Sequence, residues 1–529
     1  MMVRLTLTVF GLQWLLSPEA EQTMEKTISI IGAGAGGILV LDRMIESLAD
    51  VPGSRPRILL IEKGREFGSG LAYSTPLDAH IINMRASTMG GAVEDATHFS
   101  RWLASHSASL FSADGRPPYE DAEYPPRRIY GEYLKDMFSK ALEKAATIGV
   151  EIQCLHDEAV GLHQVLGVHR IALASGASIN TDATILALGN FPHPVLPDMR
   201  TIKGFLNYPW PVEAVMDSIS GTDPVCVLGA GLSAIDTLHT LLAAGQKEKV
   251  YFVSRNGLLP KVRGLEKSHE LQFLSVEKVK SLISRTGRLH IGLDELVDLF
   301  IKEIEAAEGI PIDWERVLNP EGTTLEILER DIERAEDRVI PYQSALTATE
   351  DIIGRLWNLL STDDQCRFDR EYKSLWTVNR YSMPLINAKK VRDVLRSGQL
   401  EVLSGLTSIS HVPSAGSFVV EARSRRGDCQ TLKVPVVINA TGQCLDASQI
   451  DGELVQQMLT DGIAASHPSG GINVDYDSCR VIDGTGQTSD SLFALGELTR
   501  GVHFYTNGIG PCAQRARDIV RFIVDQQML

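Results

Sequence analysis

The stretch from Thr27 to Leu48, TISIIGAGAGGILVLDRMIESL, decides the fold. It opens with an apolar run of the kind a strand buried on both faces needs, turns through glycines, and continues with Ile38, Leu41, Ile45 and Leu48 at helical spacing. The reading is a strand, a tight turn and a helix. Gly32, Gly34 and Gly37 fill a GxGxxG pattern: the first permits the turn, the second lets a pyrophosphate approach the backbone, and the third lets helix pack on strand. The positive end of the helix then faces the phosphates. The next strand, RILLIEK, closes on Glu62 with Lys63 beside it, where a carboxylate accepts the hydroxyls of an adenosine ribose, as in FAD or NAD.

The pattern returns at Pro224 in PVCVLGAGLSAIDTLHTLL, with Gly229 and Gly231 in place, Ala234 as the third small residue, and Ser233 in the first helical turn. Here the following strand, KVYFVSRNG, ends on Ser254 and Arg255 instead of an acid. A hydroxyl and a guanidinium suit the 2′-phosphate of NADPH, and nearby Lys261 and Arg263 add positive charge. Two further apolar runs end in Ala-x-Gly: TILALGNFPHP, with Gly189, and VVINATGQ. Near the end, SLFALGELTRG sets Gly496 and Glu497 after a strand, where an acid accepts from a ribityl chain, ahead of a closing helix from about Gly510.

The rest of the chain bounds the reading. At 529 residues, two to four domains are expected. The net charge of −16 repels phosphate backbones and anionic lipid surfaces, so neither nucleic acid nor a membrane is an expected partner. Seven scattered cysteines, without CxxC or zinc spacing, suit a reducing cytoplasm. MMVRLTLTVFGLQWLL is too short to span a bilayer and lacks a cleavage site, so residues 1–23 read as an extension outside the fold, with Met24 as the working start. The expected class is α/β, with two Rossmann-like dinucleotide-binding domains. The first would run over 24–220 and resume over 376–529, and the second would be inserted over 221–375. Within the insertion, 267–373 is helical in pattern and either covers the active site or forms a subunit contact in a homo-oligomer; the charged run ERDIERAEDR (329–338) reads as a solvated helix face.

This order of motifs resembles the two-dinucleotide-binding-domain flavoproteins, and more narrowly bacterial FAD/NAD(P)-binding proteins related to flavin-containing and N-hydroxylating monooxygenases. FGSGLAYST (67–75), HIINMRAS (80–87), HFSRWL (98–103), RRIYGEYL (127–134) and SRNGLLP (254–260) carry the narrower likeness. The resemblance implies FAD on Gly32, Gly34, Gly37, Glu62, Gly496 and Glu497, with Tyr73 and Asn83 close to it, and NAD(P)H on Gly229, Gly231, Ser233, Ser254 and Arg255. Two departures stand out. Glu497 replaces the usual Asp, and the FxGxxxH signature of flavin monooxygenases has only a faint echo, without the histidine, in IKGFLNYPW (202–210). No CxxxxC follows the first glycine helix, which argues against disulfide reduction.

The function expected is an FAD-dependent oxidoreductase that oxidises NADPH, with NADH as an alternative, and that places oxygen from O2 on a small nucleophilic substrate such as the amine of an amino acid. Arg380, in LWTVNRYSMP, or Arg85 would hold its carboxylate, with Asn379 beside Arg380; His503, Tyr505 and Asn507 in GVHFYTNGIG are the candidates beside the flavin ring. Arg380 paired structurally with a carboxylate is an equal alternative. No metal site is expected. A flavin reductase or oxidase without oxygen insertion fits the same motifs, and a redox-sensing protein without turnover is the third reading.

Overall fold

The computed structural model describes residues 26–50, 53, 55–106, 123–165, 167–424 and 427–526; the extension over 1–23 lies outside them. The Thr27–Ile31 run forms the middle of a six-stranded sheet, with Ile28 and Ile30 completely buried. Arg57–Glu62 and Ile152–His156 extend the sheet on one side, and Ala183–Leu186 and Thr488–Ala494 on the other, all parallel; Arg480–Ile482 adds an antiparallel edge. Parallel strands need cover on both faces. Helices Ala35–Asp50, Arg127–Ile148 and Ile509–Asp525 pack together on one face around buried Phe99, Tyr130 and Tyr133. A three-stranded antiparallel sheet over 159–181 lies with the other.

The second glycine turn starts from a seven-stranded sheet. Its parallel part is Leu400–Val412, Val250–Ser254, Val225–Leu228, Val436–Asn439 and Phe205–Leu206, continued by antiparallel Ser417–Arg423 and Cys429–Val434. This corrects the expected boundaries. Residues 400–439 belong to the second sheet and not to a resumed first domain at 376, and 205–206 belongs to it as well. The cause is the helix Leu385–Arg396, which leads the chain back to place Leu400–Val412 parallel to Val250–Ser254. Helices do fill the expected insertion, from Val276–Thr286 to Lys373–Arg380. The charged run lies in the helix Thr324–Ala335 and just beyond it; Leu328, Ile332 and Ala335 face inward.

The chain crosses between sheets after Ala183–Leu186 and again after Val436–Asn439, and the crossings run side by side. Pro192 bridges Gln443 antiparallel, Cys444 N donates to Phe191 O at 2.8 Å, and Asn439 Nδ2 donates to His193 O at 2.8 Å. A second junction lies on the helix Leu232–Ala243. Arg127 Nη2 meets Asp236 Oδ2 at 2.8 Å, with side chains 12% and 8% exposed. His80 Nε2 donates to Asp236 O at 2.9 Å, and its Nδ1 accepts from Thr75 Oγ1 at 3.0 Å.

Candidate functional site

Both glycine turns are built alike. Gly32 takes φ +99° and donates to Ile61 O at 2.8 Å; Gly229 takes φ +113° and donates to Val253 O at 2.8 Å. A Cβ on Gly32 would lie 2.2 Å from Ala187 O, and one on Gly229 2.5 Å from Ala440 O. Each Ala-x-Gly strand end therefore presses a carbonyl against a turn, which only glycine admits. Gly37 is equally confined, since a Cβ there would lie 1.9 Å from Gly32 O, and a Cβ on Gly34 would lie 3.3 Å from Gly70 Cα. The opposite holds at Gly189, Gly231 and Gly496, where no protein atom lies within 4 Å of a built Cβ. Tight backbone beneath and open space above make a cradle at each turn.

Glu62 is fixed over the first cradle: Oε2 accepts from Ala33 N and Oε1 from Gly64 N, both at 2.7 Å. Asn83 Oδ1 is buried without a hydrogen-bond partner, so it lacks a donor that the protein does not supply. Tyr73 tilts against Tyr130 at 4.7 Å between ring centres, and burial pushes its hydroxyl up to about 12, keeping it a neutral donor. Lys63 points away: its ammonium pairs with Glu158 at 3.0 Å on the surface, which removes it from the set expected around the cradle.

At the second cradle, Gly231 caps the helix Leu232–Ala243, Ser233 stands in its first turn, and Ser254 Oγ accepts from Gly257 N at 3.0 Å. Arg255 is exposed and makes no ion pair among the described residues. The charge expected from its neighbours is turned elsewhere: Lys261 bonds Asp331 at 3.0 Å, and Arg263 is buried against Glu266 at 3.3 Å.

Glu497, 8% exposed, accepts from Thr506 Oγ1 at 2.8 Å. Burial works to lower the Arg500 pKa, but the Glu497 carboxylate leads the charges that raise it overall. His503 is a packed residue and not a base at the ring. Its Nδ1 accepts from Thr499 Oγ1 at 2.9 Å, its Nε2 donates to Tyr476 O at 3.0 Å, and burial holds its pKa down at about 3. Phe504, at φ +61°, sits among Trp357, Phe368 and Trp376, while Asn507 is exposed. Asn379 spends its Nδ2 on Leu375 O of its own helix, 2.9 Å away, and lines a separate cavity of about 1030 Å³ among the insertion helices. Arg380 takes the structural pairing, donating to Glu350 Oε2 at 2.7 Å and lying 4.7 Å over the Tyr505 ring. Arg85 pairs with Glu123 at 2.7 Å. Sequence reasoning assigned no role to Arg127, Asp236 and His80 as a junction; Arg127 and His80 stand in motifs quoted for family likeness, and Asp236 stands in the helix after the second glycine turn.

Residues 29–191 match the family described as FAD-NAD(P)-binding. Along the sequence the chain is similar to an L-aspartate N-monooxygenase (nitrosuccinate-forming) of Streptomyces cremeus, at 24% identity over 91% of each protein. It is likewise similar to a nitrosuccinic acid synthase of Aspergillus oryzae, at 21% identity over 92% of this chain and 89% of the other. Among solved structures, L-lysine 6-monooxygenase from Pseudomonas syringae superposes with a TM-score of 0.56 at 14% identity, covering 94% of this chain and 99% of that one. The ornithine N-hydroxylase of Kutzneria sp. 744 gives 0.53 at 14%, covering 95% and 100%. The fold is thus the α/β, two-dinucleotide-binding-domain flavoprotein fold. No helix among the described residues is long and apolar enough to cross a membrane.

Proposed function

We propose that this chain, with its two-dinucleotide-binding-domain flavoprotein fold, is an FAD-dependent monooxygenase that oxidises NADPH and hydroxylates the amine nitrogen of an amino acid or similar small amine. The observation that carries the reading is the pair of equivalent cradles, Gly32 against Ala187 O and Gly229 against Ala440 O, in a chain similar to N-monooxygenases over nine-tenths of its length. Bound FAD would supply the redox chemistry: the amine, NADPH, a proton and O2 give the hydroxylamine, NADP+ and water.

The chain's own residues bind and orient. Gly32, Gly34 and Gly37 bring the helix Ala35–Asp50 up to the pyrophosphate, and Glu62 accepts from the ribose hydroxyls. Asn83 would offer its unmet acceptor to bound flavin, with Tyr73 as a further contact. The open faces at Gly189 and Gly496 would leave room for the ring and ribityl chain, and Glu497 would accept from that chain. Gly229, Gly231 and Ser233 hold the NADPH pyrophosphate, while Ser254 and exposed Arg255 take the 2′-phosphate. Buried Tyr505 and Phe504, in the loop after Gly496, would help exclude water near bound flavin.

The test is the visible spectrum of the purified protein, followed by amine-dependent NADPH and O2 consumption with peroxide measured alongside. Amine-dependent, peroxide-free consumption that yields a hydroxylamine supports the reading. If every amine tested only increases hydrogen peroxide, the protein is an NADPH oxidase and the reading fails.

A further inference from the structure

The cavity among the insertion helices belongs to neither cradle. It holds about 1030 Å³, and none of its walls comes from Gly32, Gly34, Gly189, Gly229, Gly231 or Gly496. One wall is the helix Leu293–Glu308, which turns Leu293, Leu296, Val297, Phe300, Ile301 and Ile304 toward it, the spacing of a single helical face. The inner end is a set of four rings, Trp357, Phe368, Trp376 and Phe504, with the Phe504 ring centre 4.8 Å from that of Trp357 and 5.6 Å from that of Trp376. Ile310, Val317 and Leu318, exposed to solvent, mark its mouth. The inner end rests on the loop after Gly496: Trp357 Nε1 donates to Gly501 O and Asn358 Nδ2 to Val502 O, both at 2.7 Å. Phe504 holds φ +61°, a conformation that a bulky side chain adopts only under constraint and that recurs at ligand clamps.

The charged groups on these walls are already answered. Lys261 pairs with Asp331 at 3.0 Å, Arg334 with Glu308 at 2.8 Å and Arg367 with Glu371 at 3.0 Å, while Arg330 donates to Glu321 O. The others, Asp313, Arg316 and Glu321, are exposed to water. Among the described residues, no buried side-chain polar atom of the lining lacks a hydrogen-bond partner. An amino acid placed here would strip water from an ammonium and a carboxylate and find the inner counter-charges taken, so the cavity is not built for the amine. Water is served no better, since each molecule needs about two to four polar partners, which rings and aliphatic side chains do not offer. Such walls favour apolar surface, and the volume reaches the upper end of the roughly 300–1,000 Å³ of small-molecule pockets. We propose that this cavity is a second ligand site, for an uncharged, largely hydrocarbon small molecule whose ring system meets the four rings at the inner end. The inference goes beyond the amine-hydroxylating reading and does not depend on it. Its occupant rests against the loop that follows Gly496 and Glu497.

The test titrates the FAD-loaded full chain with Nile red, an uncharged apolar ring dye followed by its emission, and uses pyrene as competitor. Saturable binding of about one dye per chain, displaced by pyrene and indifferent to excess aspartate or lysine, is expected. Val297→Phe and Ile304→Trp, which put side-chain volume into the cavity, should each weaken Nile red roughly tenfold or more at unchanged flavin content. Should neither variant fold, pyrene quenching of tryptophan emission in the unaltered protein decides, because three of the six tryptophans, Trp314, Trp357 and Trp376, line the cavity; saturable quenching supports the site and its absence overturns it. Dye binding that does not saturate, or that both filled variants keep at full affinity, overturns the site. So does a chain that sheds the dye as it self-associates, which would make these walls a surface between copies. Saturable dye binding without hydroxylation of any amine leaves the site standing and removes the hydroxylation reading alone.

Discussion

Glu62→Ala separates two jobs that one carboxylate performs. Within the protein it accepts from Ala33 N and Gly64 N, each at 2.7 Å. Ala33 is fully buried, so its N–H would be stranded at a cost of about 1–3 kcal/mol; Gly64 is exposed and its N–H returns to water at little cost. The FAD-free protein should therefore lose about 1–3 kcal/mol of stability. Ribose loses a charged acceptor as well, and each such bond is worth about 1.5–3 kcal/mol, or roughly tenfold to hundredfold in affinity. Glu62→Gln, which keeps one acceptor oxygen, should fall between. Flavin-to-protein absorbance of purified material, FAD titration into stripped protein and thermal unfolding without FAD read the two effects apart. Wild-type flavin content and affinity in Glu62→Ala would refute the ribose assignment. Lost stability with intact affinity would leave Glu62 as a clasp of the turn alone.

Three further outcomes are expected. Arg255→Ala should raise the KM for NADPH roughly tenfold to hundredfold and leave that for NADH nearly unchanged, because one charge-assisted phosphate contact is lost; equal effects on both would remove the phosphate role. Asp236→Asn strands the buried Arg127 charge and should destabilise by about 3–5 kcal/mol, with Arg127→Gln added to it recovering most of the loss; denaturant curves check this, and a double variant no better than the single would contradict a paired charge at the junction. Burial holds His169 and His239 down at about 4 and His503 at about 3, so the folded state refuses protons that unfolded histidine takes up below about 6.5. Stability is present above that value and is lost as pH falls through it, while Asp42, raised to about 6, opposes this by one proton. About two net protons near pH 5 correspond to about 2.7 kcal/mol per pH unit, and unfolding midpoints that stay flat or rise on acidification would refute it.

Both turns were legible because their signal is local. A glycine forced by a carbonyl at the end of the neighbouring parallel strand leaves the same three small residues wherever it occurs, and Gly32 and Gly229 share that geometry. Glu62 was equally readable, as an acid closing a strand. Domain edges were not, since nothing in 376–399 marks the helix Leu385–Arg396 as leading back to the second sheet instead of the first. His503 shows the converse: a histidine in the right loop reads as chemistry until its two nitrogens are found spent on Thr499 and Tyr476.

Because the two crossings are laced together at Pro192 and Gln443, the bodies they join are hung on a double strap. One strand would let them swivel freely; two side by side, with the Arg127–Asp236 and His80–Asp236 contacts as a second point of attachment, restrict that motion. A peptide bond nicked in either strand should therefore leave both halves associated and in register.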